Sequence, residues 1–183
     1  MTPTEPTVTD LHGRFRDVLL RADGSLAWDR GWCANAIVTD FRRVLAAFVR
    51  GTPSSADGIV GLQVGAGLPA WDGAGGPPPP STSQTTLVDP VPHLVPRAGL
   101  QLSFVDPVSG APSAAPTRSL QVRASLGPGV PAWPDGTHPT ATLREFGLVG
   151  RLDGTQVLLN YRTHPAIAKD PASTLERTIW LVF

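Results

Sequence analysis

Residues 140–183 decide the fold class of this chain. Three runs in this stretch combine β-branched, aromatic and alternating polar residues: TATLREFGLV at 140–149, VLLNYR at 157–162 and TLERTIWLVF at 174–183. Runs of this length and composition predict β-strands. Residues 163–169 (THPAIAK) separate the second run from the third, and we expect them to form a linker. The last run reaches Phe183, so we expect the end of the chain to be held by strand pairing.

Further strands are predicted upstream of this stretch. The dipeptide Asp23-Gly24 separates the runs 14–20 and 25–28, which predicts a hairpin because glycine accepts the positive φ of a tight turn. Three more strand-like runs lie at 58–64, 100–105 and 119–126. In the last of these every second residue is apolar, as in a strand with one buried face.

One amphipathic helix is predicted between these strands. Its apolar residues follow the i, i+3, i+4, i+7, i+8 spacing of a helix face and are Phe41, Val44, Leu45, Phe48 and Val49. Thr39 or Asp40 can cap its start, and Gly51 followed by Pro53 marks its end. A single helix with an apolar stripe needs a sheet to pack on, so we expect this stripe to dock against the strands.

Together these elements predict a mainly β protein, an antiparallel β-sandwich of about seven or eight strands with one packed α-helix and long Pro/Gly-rich loops. We expect a single domain over residues 1–183, with an N-terminal arm at 1–12 and a Pro/Gly-rich loop insertion at 66–98. The insertion contains GGPPPPSTS at 75–83. Its consecutive prolines favour polyproline II and cannot enter a central strand.

Composition argues against several classes of protein. Lys and Arg together number 15, as do Asp and Glu, so the formal net charge is zero and the basic stripe of a nucleic-acid binder is missing. The single cysteine, Cys33, allows no intrachain disulfide. The start, MTPTEP, lacks the apolar segment of a signal peptide, and the longest apolar stretch, residues 44–49, is too short to cross a bilayer. We expect a soluble protein made in the cytoplasm, with no nucleic-acid partner and no membrane insertion.

Residues that could carry chemistry do not form a recognisable site. The histidines are His12, His93, His138 and His164, and none has the i+3 or i+4 partner of a helical metal site. We interpret His138 and His164 as turn residues that precede proline. The serines lack the G-x-S-x-G pattern of a hydrolase nucleophile. We therefore expect no metal, no cofactor, no catalytic residue and no enzymatic activity.

Two single residues have structural interpretations. A lone cysteine is more often a small buried apolar residue than a nucleophile, and we interpret Cys33 in this way. Glu145 lies on a predicted strand, and acids on a sheet face usually pair with arginines across it. We expect Glu145 to form such a pair with Arg151, Arg162 or Arg177.

The tryptophans raise two hypotheses. Trp71 and Trp133 lie in predicted loops, the position from which rings stack on sugars in carbohydrate-binding sandwiches. Tryptophan is also enriched where protein subunits meet. We favour the second interpretation. The predicted subunit contacts are Trp71, Trp133, the prolines Pro77, Pro78, Pro79 and Pro80, and the N-terminal arm from Thr2 to Thr9.

Several short motifs follow one another in a defined order along the chain. Asp23-Gly24 is followed by Asn35-Ala-Ile-Val38, by the helix from Phe41 to Gly51, by Val64-Gly-Ala-Gly67 and by Thr85-Thr-Leu-Val-Asp89. The chain closes with Glu145-Phe-Gly-Leu148, Ala166-Ile-Ala-Lys169 and Trp180-Leu-Val-Phe183. This succession resembles small phage virion proteins: tail-fibre, baseplate and collar components, and components of phage-tail-like contractile injection systems. The Pro-rich segment 73–83 and the loop 127–139 depart from the pattern.

The resemblance implies a structural subunit of a phage tail or contractile injection particle, at a cap, collar, baseplate or fibre-attachment position. Its partners would be copies of itself and other tail, tube, sheath or baseplate proteins, assembled into a virion or phage-tail-like particle. Exposed sheet edges can pair with strands of another chain, so we expect them to bridge neighbours together with the Pro-rich segment. The alternative is a carbohydrate-binding β-sandwich module of a receptor-binding fibre.

Overall fold

The structure, a computed structural model, describes residues 11–51 and 56–183. These two ranges contain one α-helix and eleven strands. In chain order the elements are β1 (His12–Leu20), β2 (Leu26–Ile37), α1 (Thr39–Arg50), β3 (Ala56–Gly65), β4 (His93–Pro96), β5 (Leu100–Val105), β6 (Pro112–Ser113), β7 (Ser119–Leu126), β8 (Thr142–Leu152), β9 (Thr155–Leu158), β10 (Asn160–Ala168) and β11 (Thr174–Val182). Short 3₁₀ turns at Pro69–Asp72 and Arg97–Gly99 precede β4 and β5.

The strands form one antiparallel sheet. Its order is β4-β3-β8-β10-β2-β1-β11-β7-β5-β6, with β9 paired to β8. The last strand, β11, lies between β1 and β7 and pairs with both along nearly its full length. Its inward residues Leu175, Ile179 and Leu181 are buried in the core. The predicted pairing of the final run is therefore confirmed.

The sheet is strongly curled. β1 and β8 lie three strands apart in the sheet order, which corresponds to about 14 Å in a flat sheet. The ring centroids of Phe15 on β1 and Phe146 on β8 are nevertheless 4.9 Å apart. The two flanks of the sheet thus face each other across one core, and the sheet has the shape of a half-barrel. This confirms the predicted mainly β, antiparallel, sandwich-like class with one helix, although the described residues hold more strands than the sequence predicted.

A buried ion pair lies inside the half-barrel. Asp17 on β1 and Arg177 on β11 are directly opposite each other, and both side chains are fully buried. Nε and Nη2 of Arg177 each donate to one carboxylate oxygen of Asp17 at 2.7 Å. The guanidinium also lies 3.9 Å from the ring centroid of Phe146 on the opposite flank. Burial raises the pKa of Asp17, but the charge and hydrogen bonds of Arg177 outweigh this and lower the pKa below its ordinary value.

His164 completes this cluster, and its predicted role as a turn residue is wrong. It lies on β10, where its Nδ1 donates to the carbonyl of Pro165 at 2.9 Å and its Nε2 accepts from Nη2 of Arg177 at 3.2 Å. Burial, and then the charge of Arg177, lower the pKa of His164 to about 3, so the ring is neutral. Residues 163–168 of the predicted linker 163–169 instead belong to β10. The strand tolerates Pro165 because its pairing with β8 shifts register between Thr163 and Ile167, where no ladder N–H is needed.

The helix α1 lies across the opening of the half-barrel, between β3 on one flank and β5, β7 and β11 on the other. Phe41 and Val44 are buried, and the ring of Phe41 meets that of Phe183 edge-on at 5.8 Å. Burying each such side chain contributes roughly 1.5–3 kcal/mol. Gly51 ends the helix with a φ of 75°, as predicted. No helix in the described part of the chain is long and apolar enough to cross a membrane.

The remaining predictions about secondary structure are partly confirmed and partly wrong. The runs 100–105 and 119–126 coincide with β5 and β7. No side chain of Thr39 or Asp40 caps α1. The insertion 66–98 holds a 3₁₀ turn and β4 as well as loop. Residues 1–10 of the predicted arm, and with them the contacts of Thr2 to Thr9, lie outside the described residues, whereas His12 already pairs with Val182 in β1.

Replacing Asp17 with asparagine tests the importance of the buried pair. We expect Asp17→Asn to lower the free energy of unfolding by about 3–5 kcal/mol, because the buried Arg177 charge loses its compensation. The measurement is chemical denaturation at neutral pH. Asp57→Asn is the matched control, since Asp57 pairs with Arg151 at the exposed surface and should barely affect stability. Equal losses in the two variants would contradict the proposed weight of the buried pair.

Candidate assembly surface and loop junction

The two tryptophans predicted to contact neighbours are packed inside the chain itself. Trp71 lies in the 3₁₀ turn Pro69–Asp72, and its ring covers Gly67, where a side chain would overlap it. Trp133 stacks on the ring of His138, with centroids 3.9 Å apart and planes inclined by 23°. Both tryptophans are buried. Little of either ring is left for a second subunit or for a sugar.

The proline segment is held by its own chain. The carbonyl of Pro78 accepts a hydrogen bond from Oγ1 of Thr163 at 2.6 Å, and the carbonyl of Thr82 accepts one from the backbone N–H of Thr39 at 2.9 Å. These contacts order the segment along β10 and the start of α1 without help from a neighbour. The outer edge of the proline segment is accessible to a neighbouring subunit, because Pro78 and Pro79 are exposed and Pro77 and Pro80 are half-buried. Their role in subunit contacts stays a prediction.

Glu145 does not form the predicted ion pair with an arginine. It is fully buried, and its Oε2 accepts a hydrogen bond from the hydroxyl of Tyr161 at 2.6 Å. The backbone N–H groups of Val88 and Asp89 donate to the same carboxylate at 3.0 and 2.7 Å. The prediction failed because the insertion 66–98 folds over this face of β8 and supplies the partners that an exposed sheet face would lack.

The insertion is fastened to β8 at further points. Asp89 accepts hydrogen bonds from the backbone N–H groups of Ala66 and Val91 at 2.7 and 2.9 Å. Arg144 on β8 donates through Nε and Nη2 to Asp72 at 2.8 and 2.6 Å, and through Nη1 to the carbonyl of Ala66 at 2.9 Å. Burying a carboxylate requires such partners, so these contacts fix the path of the insertion.

A second loop, residues 127–139, meets the insertion at His138. This ring is buried, although it precedes Pro139 as a turn residue would. Its Nε2 lies 3.0 Å from Oδ2 of Asp89, and its Nδ1 lies 2.9 Å from Oδ1 of Asp135. We call the group Asp89, Trp133, Asp135 and His138 the loop junction. No local sequence signal reveals it, because Asp89 and His138 are 49 residues apart.

A cavity of about 240 Å³ lies beside the loop junction. One wall comes from the insertion and the other from the segment 137–140, with Arg144 between them. The charged groups along it are already hydrogen-bonded to one another or to the backbone. The cavity is therefore a gap between two fastened loops.

The opening of the half-barrel carries an apolar surface. A cavity of about 260 Å³ lies there, lined almost wholly by apolar side chains of α1, β3, β5, β7 and β11. Two large apolar residues that line it, Phe48 (50 % exposed) and Phe183 (41 %), remain open to solvent. Val49 (90 % exposed) lies one helical turn beyond Leu45, which lines the cavity, and Phe104 (37 %) is the fourth exposed apolar residue of this face. We call these four residues the apolar rim. Phe104 belongs to this face because it pairs with Leu120, which lines the cavity.

The apolar stripe of α1 explains the rim. The sequence placed Phe48 and Val49 on the same stripe as Phe41 and Val44. The structure buries only Phe41 and Val44 and leaves Phe48 and Val49, in the second half of the helix, exposed. Single exposed apolar residues are common, whereas a contiguous apolar patch beside an open cavity is characteristic of an interaction surface.

The sheet edges are poor candidates for pairing with another chain. The two ends of the strand order are β4, with four residues, and β6, with two. β4 ends at Pro96 and β6 begins at Pro112, and proline cannot donate to a ladder. Short, proline-containing edge strands are a common protection against edge-to-edge association. This counts against bridging of neighbours through β4 and β6, whereas bridging through β9, which pairs with β8 alone among the described strands, stays a prediction.

Comparisons with protein-family models, with curated proteins and with solved structures give no match to this chain.

Tyr161 offers a spectroscopic test of the buried hydrogen bond to Glu145. It is the only tyrosine in the chain. Burial and the adjacent carboxylate raise the pKa of Tyr161 far above its ordinary value of about 10. We expect the ultraviolet absorbance of tyrosinate to appear only when alkali unfolds the protein, whereas the urea-unfolded chain titrates near the ordinary value. Reversible ionisation of the folded protein near pH 10 would show that Glu145 is not its partner.

Proposed function

We propose that this protein is a non-enzymatic structural subunit that assembles with copies of itself through the apolar rim. The rim is the observation that carries the proposal, since an aqueous monomer gains nothing from four large apolar side chains around an open cavity. A particle of the phage-tail or contractile-injection type, at a cap, collar, baseplate or fibre-attachment position, is the setting that the order of sequence elements favours.

Charge also favours contact between identical copies. The chain has equal numbers of acidic and basic residues. Self-repulsion between copies is therefore small, and it does not oppose close packing. The rim side chains are all apolar, so their burial in a contact removes no side-chain charge from water.

The expected strength of the contact is modest. Large apolar side chains contribute roughly 1.5–3 kcal/mol each when fully buried, so the four rim residues supply at most about 6–12 kcal/mol. Association costs an estimated 4–15 kcal/mol in lost freedom. We therefore expect the isolated chain to associate in a concentration-dependent way. Stable assembly should require several contacts per subunit, as a ring or a particle provides.

The two tryptophans that suggested the carbohydrate-binding alternative are buried, which weakens that alternative. The rings of Trp71 and Trp133, which would stack on a sugar, are covered by Gly67 and by His138. Binding of glycans by the isolated monomer, undiminished by changes in the apolar rim, would restore this alternative.

Two valines with the same exposure provide a matched test of the rim. Val49 lies in the rim and Val108 lies in the turn between β5 and β6, and both are 90 % exposed. We expect Val49→Asp to abolish self-association because it places a charge in the apolar contact. Val108→Asp should leave association unchanged. The mass in solution is measured by light scattering over a range of concentrations, and circular dichroism checks that both variants are folded.

Light scattering of the unaltered protein, alone and with the products of its neighbouring genes, tests the proposed function. A closed ring, or co-purification with tube or sheath proteins, would support a structural subunit. A monomer at every concentration that binds none of those proteins would refute it. Equal loss of association in both valine variants would refute the rim as the contact surface but not the assembly.

A further inference from the structure

His138 lies between two carboxylates, one at each ring nitrogen. Nε2 faces Asp89 at 3.0 Å, and Nδ1 faces Asp135 at 2.9 Å. An ionised carboxylate only accepts hydrogen bonds, so each nitrogen must carry a proton for both contacts to hold. A neutral imidazole carries one proton, and an imidazolium carries two. The geometry therefore fits the imidazolium form of His138.

Both carboxylates have independent reasons to be ionised. Asp89 accepts two backbone N–H groups of the insertion in addition to the histidine. Asp135 accepts the backbone N–H groups of Thr137 and His138 at 2.8 and 2.7 Å, and these bonds, together with the ring of His138, lower the pKa of Asp135. Donors of this kind favour the charged form of a carboxyl group. The shared protons therefore belong to the imidazole.

Two charged side chains of β8 face the same region. Arg144 lines the cavity beside His138, but Asp72 neutralises its guanidinium in a two-point contact. Glu145 lies behind Asp89 and binds its backbone N–H. Burial lowers the pKa of His138, and the hydrogen bonds and charges of Asp135 and Asp89 more than offset this, so the pKa lies above its ordinary value.

We propose that the loop junction is a latch operated by one proton. The imidazolium of His138 holds Asp89 of the insertion and Asp135 of its own loop at the same time, and loss of one ring proton releases one of these two carboxylate contacts while the other remains. The contact to Asp135 is the one that opens, because the Asp135 side chain is 40 % exposed and can turn to water, whereas Asp89 is buried. The segment 137–140, which forms one wall of the cavity, loosens as a result.

The direction of the pH dependence follows from the raised pKa. The latch is closed below the ordinary histidine pKa of about 6.5. It loosens as the pH rises through the higher pKa of the folded protein. This behaviour is independent of self-assembly through the apolar rim, which lies at the opening of the half-barrel and whose four side chains carry no titratable group.

Nuclear magnetic resonance on the unaltered protein tests the latch directly. We expect the ring protons of His138 to titrate with a midpoint above 6.5, and amide exchange at Thr137 and His138, corrected for its intrinsic pH dependence, to accelerate through the same midpoint. Asp135→Asn keeps an oxygen for the two backbone N–H groups and removes the charge. It should lower the His138 midpoint by about one unit.

Two controls separate the latch from a purely structural role. The midpoint of His93, which lies half-buried on β4, should be the same in Asp135→Asn as in the unaltered protein. In His138→Gln the amide exchange of Thr137 should no longer change with pH beyond the intrinsic rate. A His138 titration midpoint at or below 6.5 would overturn the proposal, as would amide exchange of the loop that stays constant through the titration of His138. Both measurements use the unaltered protein, so they remain decisive even if a variant fails to fold.

Discussion

The guanidinium of Arg177 is buried between the two flanks of the sheet, paired with Asp17 on the adjacent strand and stacked on Phe146 across the core. A buried guanidinium is tolerable only with its charge compensated and most of its donors occupied. Asp17 compensates the charge, and Asp17 and the neutral ring of His164 together occupy Nε and Nη2, whereas Nη1 is buried without a hydrogen-bond partner. These contacts hold only if β1, β11 and β10 keep their register and the sheet keeps its curl. A one-residue slip of β11 would turn Arg177 to the outer face and leave Asp17 buried alone. Register and curl are thus coupled through one side chain.

The curl has a consequence at the opening of the half-barrel. A sheet that bends until Phe15 meets Phe146 leaves a gap between its outer strands, and α1 spans that gap. The helix buries Phe41 and Val44, but Phe48 and Val49 near its end stay exposed. The apolar rim is therefore a by-product of the way the core closes. This relation links the buried ion pair to the proposed assembly surface, because anything that changes the curl changes what the helix exposes.

The opposite face of β8 is held by buried polar contacts and not by apolar packing alone. Glu145 and Asp89 are acids that would be costly to bury without donors, and the insertion 66–98 folds over them with its backbone N–H groups. His138 then joins the second loop to the first through Asp89. Long loops rich in proline and glycine are ordered here by buried polar contacts, together with buried apolar side chains such as Trp71, Leu87 and Trp133. An arrangement that depends on charge and protonation responds to pH, whereas the apolar core does not.

Much of the fold was readable from local pattern. The bounds of β5 and β7, the hairpin at Asp23-Gly24 and the end of α1 at Gly51 depend on spacing and turn chemistry within a few residues, and the mainly β class follows from them. The part of β10 after Arg162 was missed because Pro165 argues against a strand unless a register shift accommodates it. The partners of Glu145 and His138 were missed because they lie tens of residues away, where no periodicity connects them. The sequence by itself determined which segments are strands and which helix face is apolar. Only the tertiary structure decided which part of that face stays exposed, because the width of the opening depends on the curl of the whole sheet.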